Sequence, residues 1–310
     1  MDFHATPEQA AILEAVARLL EQHAGPARAI ALDAKGEYDF ALERTLVEAG
    51  FADVGRSDGA GPLEAALVVE AVAGQAGTVA LGARALIAPG VFDEPGDEPL
   101  ALARAGETGP IRYACHARTL LVAEGERVRV VPLEAGDAEP VRSNFGYPLG
   151  RLAGVADRGQ LAAVGSGERM RCWWRVALAA EAAGTMRAAL ALTVDYLKQR
   201  RQFGRPLGSF QALQHRLAEC HVLAEGSRWL AYEAAWRGAP PAAAASAAAY
   251  AMAAAARVFA ETHQLSGAIG FTREHDLHVF SMRLVALRLE LGAVAGQRRA
   301  AARARWLAGP

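Results

Sequence analysis

"YLKQRRQFGRPLGSFQALQHRLAE", Tyr196 to Glu219, is the stretch on which the reading of this chain turns. Lys198, Arg200 and Arg201 gather just ahead of Gln202-Phe203-Gly204. The helical pattern then breaks at Gly204-Arg205-Pro206 and resumes as an apolar stripe through Phe210, Leu213, Leu217 and Cys220. A solvated helix face accounts for the charges. It does not account for their place beside an aromatic-glycine break at a helix end, where guanidinium donors are suited to hold an anion.

The flanks extend the helical reading. Met186, Leu190, Val194 and Leu197 form one face ahead of the junction. After it, "APPAAAASAAAYAMAAAARVFA" opens on a Pro-Pro break and continues as an alanine-rich helix whose small side chains let neighbours approach closely. The pattern is helical from Arg169 onward. Upstream, "TLLVAEG" and "RVRVVPL" are β-branched runs with turn punctuation and predict strands of a small sheet between about residues 100 and 168. The first 90 or so residues read as helices. Thr6-Pro7-Glu8-Gln9 is a capping box with proline at the first helical position, and Ile12, Leu13, Val16, Leu19 and Leu20 share one stripe. A second helix is expected through Phe40 to Ala49, stopped by Gly50, and "LEAALVVEAVAGQAG" follows the loop "GRSDGAGP" (Gly55 to Pro62). The texture changes at the Pro-, Gly- and acid-rich "APGVFDEPGDEPL" (Ala88 to Leu100). The expected architecture is mainly α with a small β domain: a helical domain over 1–95, a reduced β domain over 96–168 and a helical bundle over 169–310.

Composition bounds the function. With 310 residues, 52 % hydrophobic and 22 % charged, the chain can bury a large core and is not globally disordered. A net charge of −1 gives no bias toward nucleic acid or acidic membranes, so any polyanion must bind locally. Asp2 and Glu8 stand where a signal peptide has basic and apolar residues. The nearest approach to a membrane span, Ala242 to Ala256, is mostly alanine and weakly apolar. Cys115, Cys172 and Cys220 lack disulfide or metal spacing and read as reduced thiols of a cytoplasmic protein. His275-x-x-His278 with Asp276 lacks further ligands, so no metal site is expected. The basic "QRRAAARARW" (Gln297 to Trp306) suits a helix C-terminus, which attracts cations through its dipole.

The order helices, small β, helices, together with the opening stretch, resembles the acyl-CoA dehydrogenase family. "ALAAEAAGTMRAALALTVDYLKQRRQFGRPLGSFQALQHRLAE" is similar to that family's signature helix pair, and "HQLSGAIGFTREHDLH" (His263 to His278) to its Q-x-x-GG-x-G-[FY] segment. The N-terminal "LVEAGFADVGRSDGAGPLEAALVVEAVAGQAG" resembles it more loosely. The resemblance implies a fold of N-terminal helical domain, middle β domain and C-terminal four-helix bundle. It also implies that Arg200 contacts the FAD pyrophosphate of a neighbouring subunit. Gln202 would hydrogen-bond the cofactor, Phe203 pack beside it, Gly204 permit the turn and Gln211 add a contact. Gln264 and Gly267 match the segment where backbone approaches the ADP part. Taken singly, Arg200 could equally be a solvated helix charge, Phe203 a core residue and Gly204 a helix stop.

The departures from the family are as informative. Members remove the α-proton of an acyl-CoA with a glutamate placed at one of two positions. Counting back from Gly184 puts one at or near Trp174, and counting forward from Gly270 puts the other at Leu291; neither side chain is a base. Glu290 is adjacent, about 100° away if the segment is helical, and is the candidate base within the chain. Glu274 matches neither position. The middle domain is short and lacks the family's Thr-Glu-Pro-x-x-Gly-Ser-Asp-like flavin cradle, and "GAVAG" replaces the Thr and Gln that contact adenine. The resemblance therefore implies a shortened subunit of a heteromeric enzyme, an α2β2 heterotetramer with a catalytic partner. This chain would supply the arginine side of a shared FAD and the complex would dehydrogenate an acyl-CoA such as a steroid side-chain CoA. A self-sufficient homo-oligomeric flavoenzyme and a flavin-free helical scaffold are the alternatives.

Overall fold

The computed structural model describes residues 4–92, 99–154 and 158–307. The middle of the acidic linker expected over Ala88–Leu100 lies outside the described residues.

Four helices open the chain: α1 (Pro7–His23), α2 (Pro26–Lys35), α3 (Phe40–Glu48) and α4 (Pro62–Gly74). The Thr6 hydroxyl accepts from the Gln9 amide at 3.2 Å and the Gln9 side chain returns the bond at 3.1 Å, so the expected capping box is formed. Helix α2 was not foreseen, although its ends are marked by Pro26 at the first position and Gly36 in the left-handed region after the last. The expected loop Gly55–Pro62 begins inside a 3-10 turn, Phe51–Arg56, which follows the left-handed Gly50 (φ 78°) that ends α3.

The middle region is two small sheets rather than one. Strands β1 (Leu100–Arg104), β3 (Thr119–Glu124), β4 (Arg127–Pro132) and β7 (Gln160–Leu161) lie in the order β1-β3-β4-β7. The expected hairpin is β3-β4, paired from Thr119↔Pro132 to Glu124↔Arg127. The second sheet orders β2 (Ile111–Arg112), β6 (Leu149–Leu152) and β5 (Ala138–Val141). Its strands carry Pro140 and Gly150 and so lack a β-type pattern in sequence. Ala101, Ile111, Leu120, Val122, Val131 and Leu133 form a separate small core in this region.

The rest is helical: α5 (Ser166–Gln199), a hairpin of β8 (Arg201–Gln202) and β9 (Arg205–Pro206), α6 (Gln211–Trp236), α7 (Pro241–Ser266), α8 (Leu277–Leu287) and α9 (Ala293–Ala302). Helices α5, α6 and α7 pack on one another, and the broken pair α8–α9 completes the bundle. Ala244, Ala247, Ala248, Ala251 and Ala255 are all buried on α7, which is how an alanine-rich helix serves as a core element. A Cβ on Gly184 would come within 2.1 Å of the Glu70 carbonyl, so glycine here sets the close crossing of α4 and α5. By length and composition alone α5 and the stretch Pro241–Phe271 could cross a membrane, yet both are packed inside this bundle. Among the cysteines, Cys172 and Cys220 are buried and Cys115 is half-buried; burial pushes the Cys220 thiol up to about 11.

Candidate active site

The fourth helix of the bundle breaks between α8 and α9, and the break makes the site. Leu291 (φ 50°), Gly292 (φ 82°) and Ala293 (φ 58°) follow one another with positive φ. Two of the three are not glycine, so the turn holds backbone strain. The expectation that Glu290 and Leu291 sit on one regular helix is corrected here: the left-handed turn replaces the helical rotation between them. Both residues line one cavity of about 240 Å³ together with Trp174. Leu100, Ile111, Phe145, Leu149 and Ala286 supply apolar wall. The structure thus brings together Trp174, Leu291 and Glu290 from sequence positions more than a hundred residues apart.

The polar end of this cavity is a chain of charges. Trp174, on α5 and 4 % exposed, donates its indole N–H to Glu290 Oε2 at 2.7 Å. Arg112, on β2, donates Nη1 to Glu181 Oε2 at 2.8 Å, and its Nε forms an ion pair with Glu290 Oε1. Its guanidinium also lies 4.9 Å from the Tyr147 ring centre. Burial alone would lower the Arg112 pKa, but the two carboxylates outweigh it and hold the side chain charged. Glu290 is pushed up from the ordinary carboxylate range, chiefly by burial, with Arg112 opposing and Glu181 reinforcing the rise. The buried Gln297 braces the break: its Oε1 accepts from Arg175 Nε at 3.1 Å and its Nε2 faces the Leu291 carbonyl at 3.4 Å. Arg112, Glu181 and Gln297 were not singled out from the sequence. Arg112 sits in a two-residue strand and Glu181 in a long helix, so no local motif announces either.

The residues expected to face an anion lie elsewhere. Helix α5 ends at Gln199 with Arg200 as its C-cap, so Gly204 is not the helix stop that its sequence position allowed. Phe203 (φ 53°) and Gly204 (φ 80°) are the two turn residues between β8 and β9, both in the left-handed conformation a two-residue hairpin of this kind requires. Phe203 is 86 % exposed, which removes the core reading, and it meets Phe210 edge-on at 6.1 Å. Arg205 lies 4.0 Å over the Phe210 ring. Lys198 pairs with Asp195, whereas Arg200, Arg201 and Arg205 have no carboxylate partner among the described residues. Gln211, the first residue of α6, is exposed, as is Gln202.

Gln264 and Gly267 sit at the C-terminal end of α7, both exposed. Gly267 adopts φ 63° and ψ −145°, a conformation effectively reserved for glycine, and a Cβ there would meet nothing within 4 Å. Tyr196, one turn before Arg200, touches His275 edge-on at 5.8 Å. The hairpin, the start of α6 and the end of α7 therefore share one end of the bundle. Trp174 and Arg200, by contrast, are separated by 26 residues along an unbroken helix, about 39 Å at 1.5 Å per residue. Elsewhere the remaining acidic and histidine candidates are accounted for locally: Glu274 is exposed, and His275 Nδ1 accepts from the Leu277 amide at 3.1 Å.

An exposed set of unpaired guanidiniums beside an open glycine backbone fits the diphosphate part of a flavin dinucleotide. Comparison with known proteins agrees with this reading of the fold. The family profile for the acyl-CoA dehydrogenase C-terminal domain matches residues 172–305. The chain is 43 % identical over 108 residues to the acyl-CoA dehydrogenase IpdE2 of Mycobacterium tuberculosis, a match covering 35 % of this chain and 34 % of the relative. It is 30 % identical over 292 residues to IpdE2 of Mycolicibacterium smegmatis, covering 89 % of this chain and 92 % of the relative. Among solved structures, the ChsE4-ChsE5 complex of Mycobacterium tuberculosis contains a chain similar over 100 % of both chains, with TM-score 0.83 and 23 % identity. The Tcur3481-Tcur3483 steroid ACAD matches 96 % of this chain and 97 % of its own with TM-score 0.80 and 24 % identity. These structural likenesses establish the fold. With the near full-length IpdE2 relative they lead to one conclusion: the chain belongs to the acyl-CoA dehydrogenase family.

Proposed function

We propose that the chain is a subunit of an FAD-dependent acyl-CoA dehydrogenase and that it lends its arginine end to a cofactor held mainly by a catalytic partner. The observation that carries the reading is the separation of the two sites. Arg200 lies about 39 Å along α5 from Trp174, farther than one extended dinucleotide reaches, so the hairpin of one subunit can serve only the cavity of another. The cavity of this chain also argues for a partner. Its family base positions are Trp174 and Leu291, and the carboxylate beside them, Glu290, is held by Arg112 and Trp174.

FAD, when bound, supplies the hydride acceptor for α,β-dehydrogenation of an acyl-CoA. The residues of this chain would bind and orient it. Arg200 and Arg201 offer paired N–H donors to phosphate oxygens, Gln202 and Gln211 offer amide contacts, and Phe203 offers an exposed ring face. Gln264 and Gly267 present side chain and backbone at the same end of the bundle. The relatives include an enzyme called a steroid ACAD and a two-component complex. We take a steroid-derived acyl-CoA as the substrate class and an α2β2 heterotetramer in the cytoplasm as the assembly.

The test is co-expression with a full-length acyl-CoA dehydrogenase partner, reading flavin absorbance of the purified complex. Arg200→Ala is expected to weaken FAD retention by roughly tenfold to a hundredfold, the scale of one charge-assisted contact, with the complex still assembled. Flavin content unchanged by Arg200→Ala would sink the reading and favour a flavin-free scaffold. A second reading has one observation in its favour: Glu290 has a raised pKa inside an apolar cavity, as a general base does. On that reading the chain alone is a yellow homo-oligomer, and Glu290→Gln abolishes turnover while keeping the flavin.

A further inference from the structure

A second cavity, of about 370 Å³, shares no lining residue with the one beside Trp174. It lies where Phe40, the first residue of α3, meets the loop between β2 and β3 and the turn between β4 and β5. The loop bends at the buried Tyr113, which holds φ 65°. A bulky residue keeps that conformation only where its surroundings impose it. The Tyr113 carbonyl accepts from the His116 and Ala117 amides at 2.8 and 2.9 Å. Arg118 is pinned on both sides, its amide donating to the Pro99 carbonyl at 3.2 Å and its carbonyl accepting from the Leu133 amide at 2.8 Å. The thiol of Cys115 is engaged with the Ala138 and Leu149 carbonyls, at 3.7 and 3.8 Å. The strained loop thus carries His116 and Arg118 into the cavity wall on a fixed backbone.

The side chains that meet there have no partners in the chain. Arg118 and Glu134 both line the cavity and are exposed. Neither side chain has a hydrogen bond or ion pair among the described residues, with the other or with anything else. The Glu134 amide is itself fixed, donating to Asp137 Oδ2 at 2.8 Å. His116 is half-buried, and its Nδ1 is enclosed without a hydrogen-bond partner. Burial favours the neutral ring, with Glu37 opposing. A proton on the enclosed nitrogen would be an orphaned donor, so the neutral ring carries it on Nε2 and has that N–H to offer. Phe40 is 47 % exposed, and its ring lies 6.2 Å from that of His116. A lone guanidinium would suit a simple anion. With an unneutralised carboxylate in the same cavity it does not, because Glu134 repels what Arg118 attracts. The set complements a ligand that carries both charges.

We propose that this cavity binds a small zwitterion with an aromatic side group, the chemistry of an aromatic α-amino acid. Its carboxylate meets Arg118 and His116, its ammonium meets Glu134, and its ring lies against Phe40. Scaled from the about 150 Å³ that hold one benzene ring, the volume admits roughly fifteen non-hydrogen atoms, enough for such a molecule. The site stands apart from the shared-FAD reading and does not depend on it.

The test is titration calorimetry on the full chain with L-phenylalanine as the probe. L-alanine lacks the ring, phenylpropanoate the ammonium and phenethylamine the carboxylate, and phenylalanine is expected to bind most tightly of the four. Arg118→Gln and Glu134→Gln are each expected to weaken it by roughly threefold to fivefold, the scale of an exposed charge pair. Both replace exposed side chains, so the thermal midpoint is expected to hold. In Glu134→Gln, phenylalanine should bind no better than phenylpropanoate binds the wild type. No saturable heat with phenylalanine would overturn the proposal. So would phenylpropanoate binding the wild type as tightly as phenylalanine does, which would make this an anion site. Affinity for phenylalanine that ignores both charge variants would place the ligand elsewhere and overturn it as well.

Discussion

The molecule holds two sets of arginines in opposite electrostatic states. Arg112 is mostly enclosed, 13 % exposed, between Glu181 and Glu290 and leans on Tyr147. Arg200 and Arg201 are exposed at the end of α5 with no carboxylate partner among the described residues. A buried guanidinium must be neutralised inside the fold, because leaving it in an apolar cavity would cost several kcal/mol. An exposed one is satisfied by water and is free to be claimed by an anion from outside. The first set is spent on holding the cavity together, and the second remains available. The same residue type thus marks the closed site and the open one, and its partners tell which is which.

The largest expected effect separates the two sets directly. Arg112→Met leaves the mostly enclosed Glu181 and Glu290 without their cation and should lower unfolding stability by about 2 to 3 kcal/mol, below the figure for a fully buried pair. Arg201→Met should change it by less than about 0.5 kcal/mol. Denaturant midpoints of the two variants check this, and equal losses would erase the distinction.

A pH experiment sharpens the closed side. Burial raises Glu290 above its ordinary value of 4.5, so the folded chain holds that proton more tightly than the unfolded chain does. Its contribution to stability is complete below about pH 4.5 and is lost as pH rises through the raised value. Glu290→Gln cannot lose a proton. The variant should therefore gain stability relative to the wild type on going from acid toward neutral pH, as read from thermal midpoints across that range. A constant difference would mean that Arg112 fully offsets the burial of Glu290.

The open side is tested by its backbone. Gly204 holds φ 80° in the hairpin turn, so Gly204→Ala should cost about 1 kcal/mol locally. Because the turn presents Phe203 and follows Arg200, FAD retention in the partnered complex should fall well beyond what the small midpoint drop of the free chain, about 2 °C, accounts for. The smallest effect on flavin belongs to a cap far from both sites. Thr6→Ala should cost about 1 kcal/mol of stability and leave flavin untouched, which gives the baseline for a purely structural change.

Much of the fold was legible because its signals are local. The Thr6–Gln9 box, the stop at Gly50, the β3-β4 hairpin and the Pro-Pro start of α7 each depend on residues within a few positions of one another. The second sheet was not legible, since strands carrying Pro140 and Gly150 exist only through pairing with distant partners. Helix α2 had local signals in Gly25-Pro26 and Gly36 that the apolar pattern alone did not bring out. The string Arg200-Arg201-Gln202-Phe203-Gly204 was readable as a break at a helix end, and its form is an exposed hairpin that follows that end.

By itself, then, the sequence determined the order of helices and strands, the hairpin residues and the family. Turn chemistry and apolar period act over a few residues and are written in full along the chain. Only the tertiary structure decided that Trp174, Leu291 and Glu290 share a cavity, that Arg112 and Glu181 tie it shut, and that Arg200 stands at the far end of α5. Those are relations between segments 69 or more residues apart, or a helix length apart. They are set by which faces pack together, and the pattern within any one segment carries no record of its distant partner.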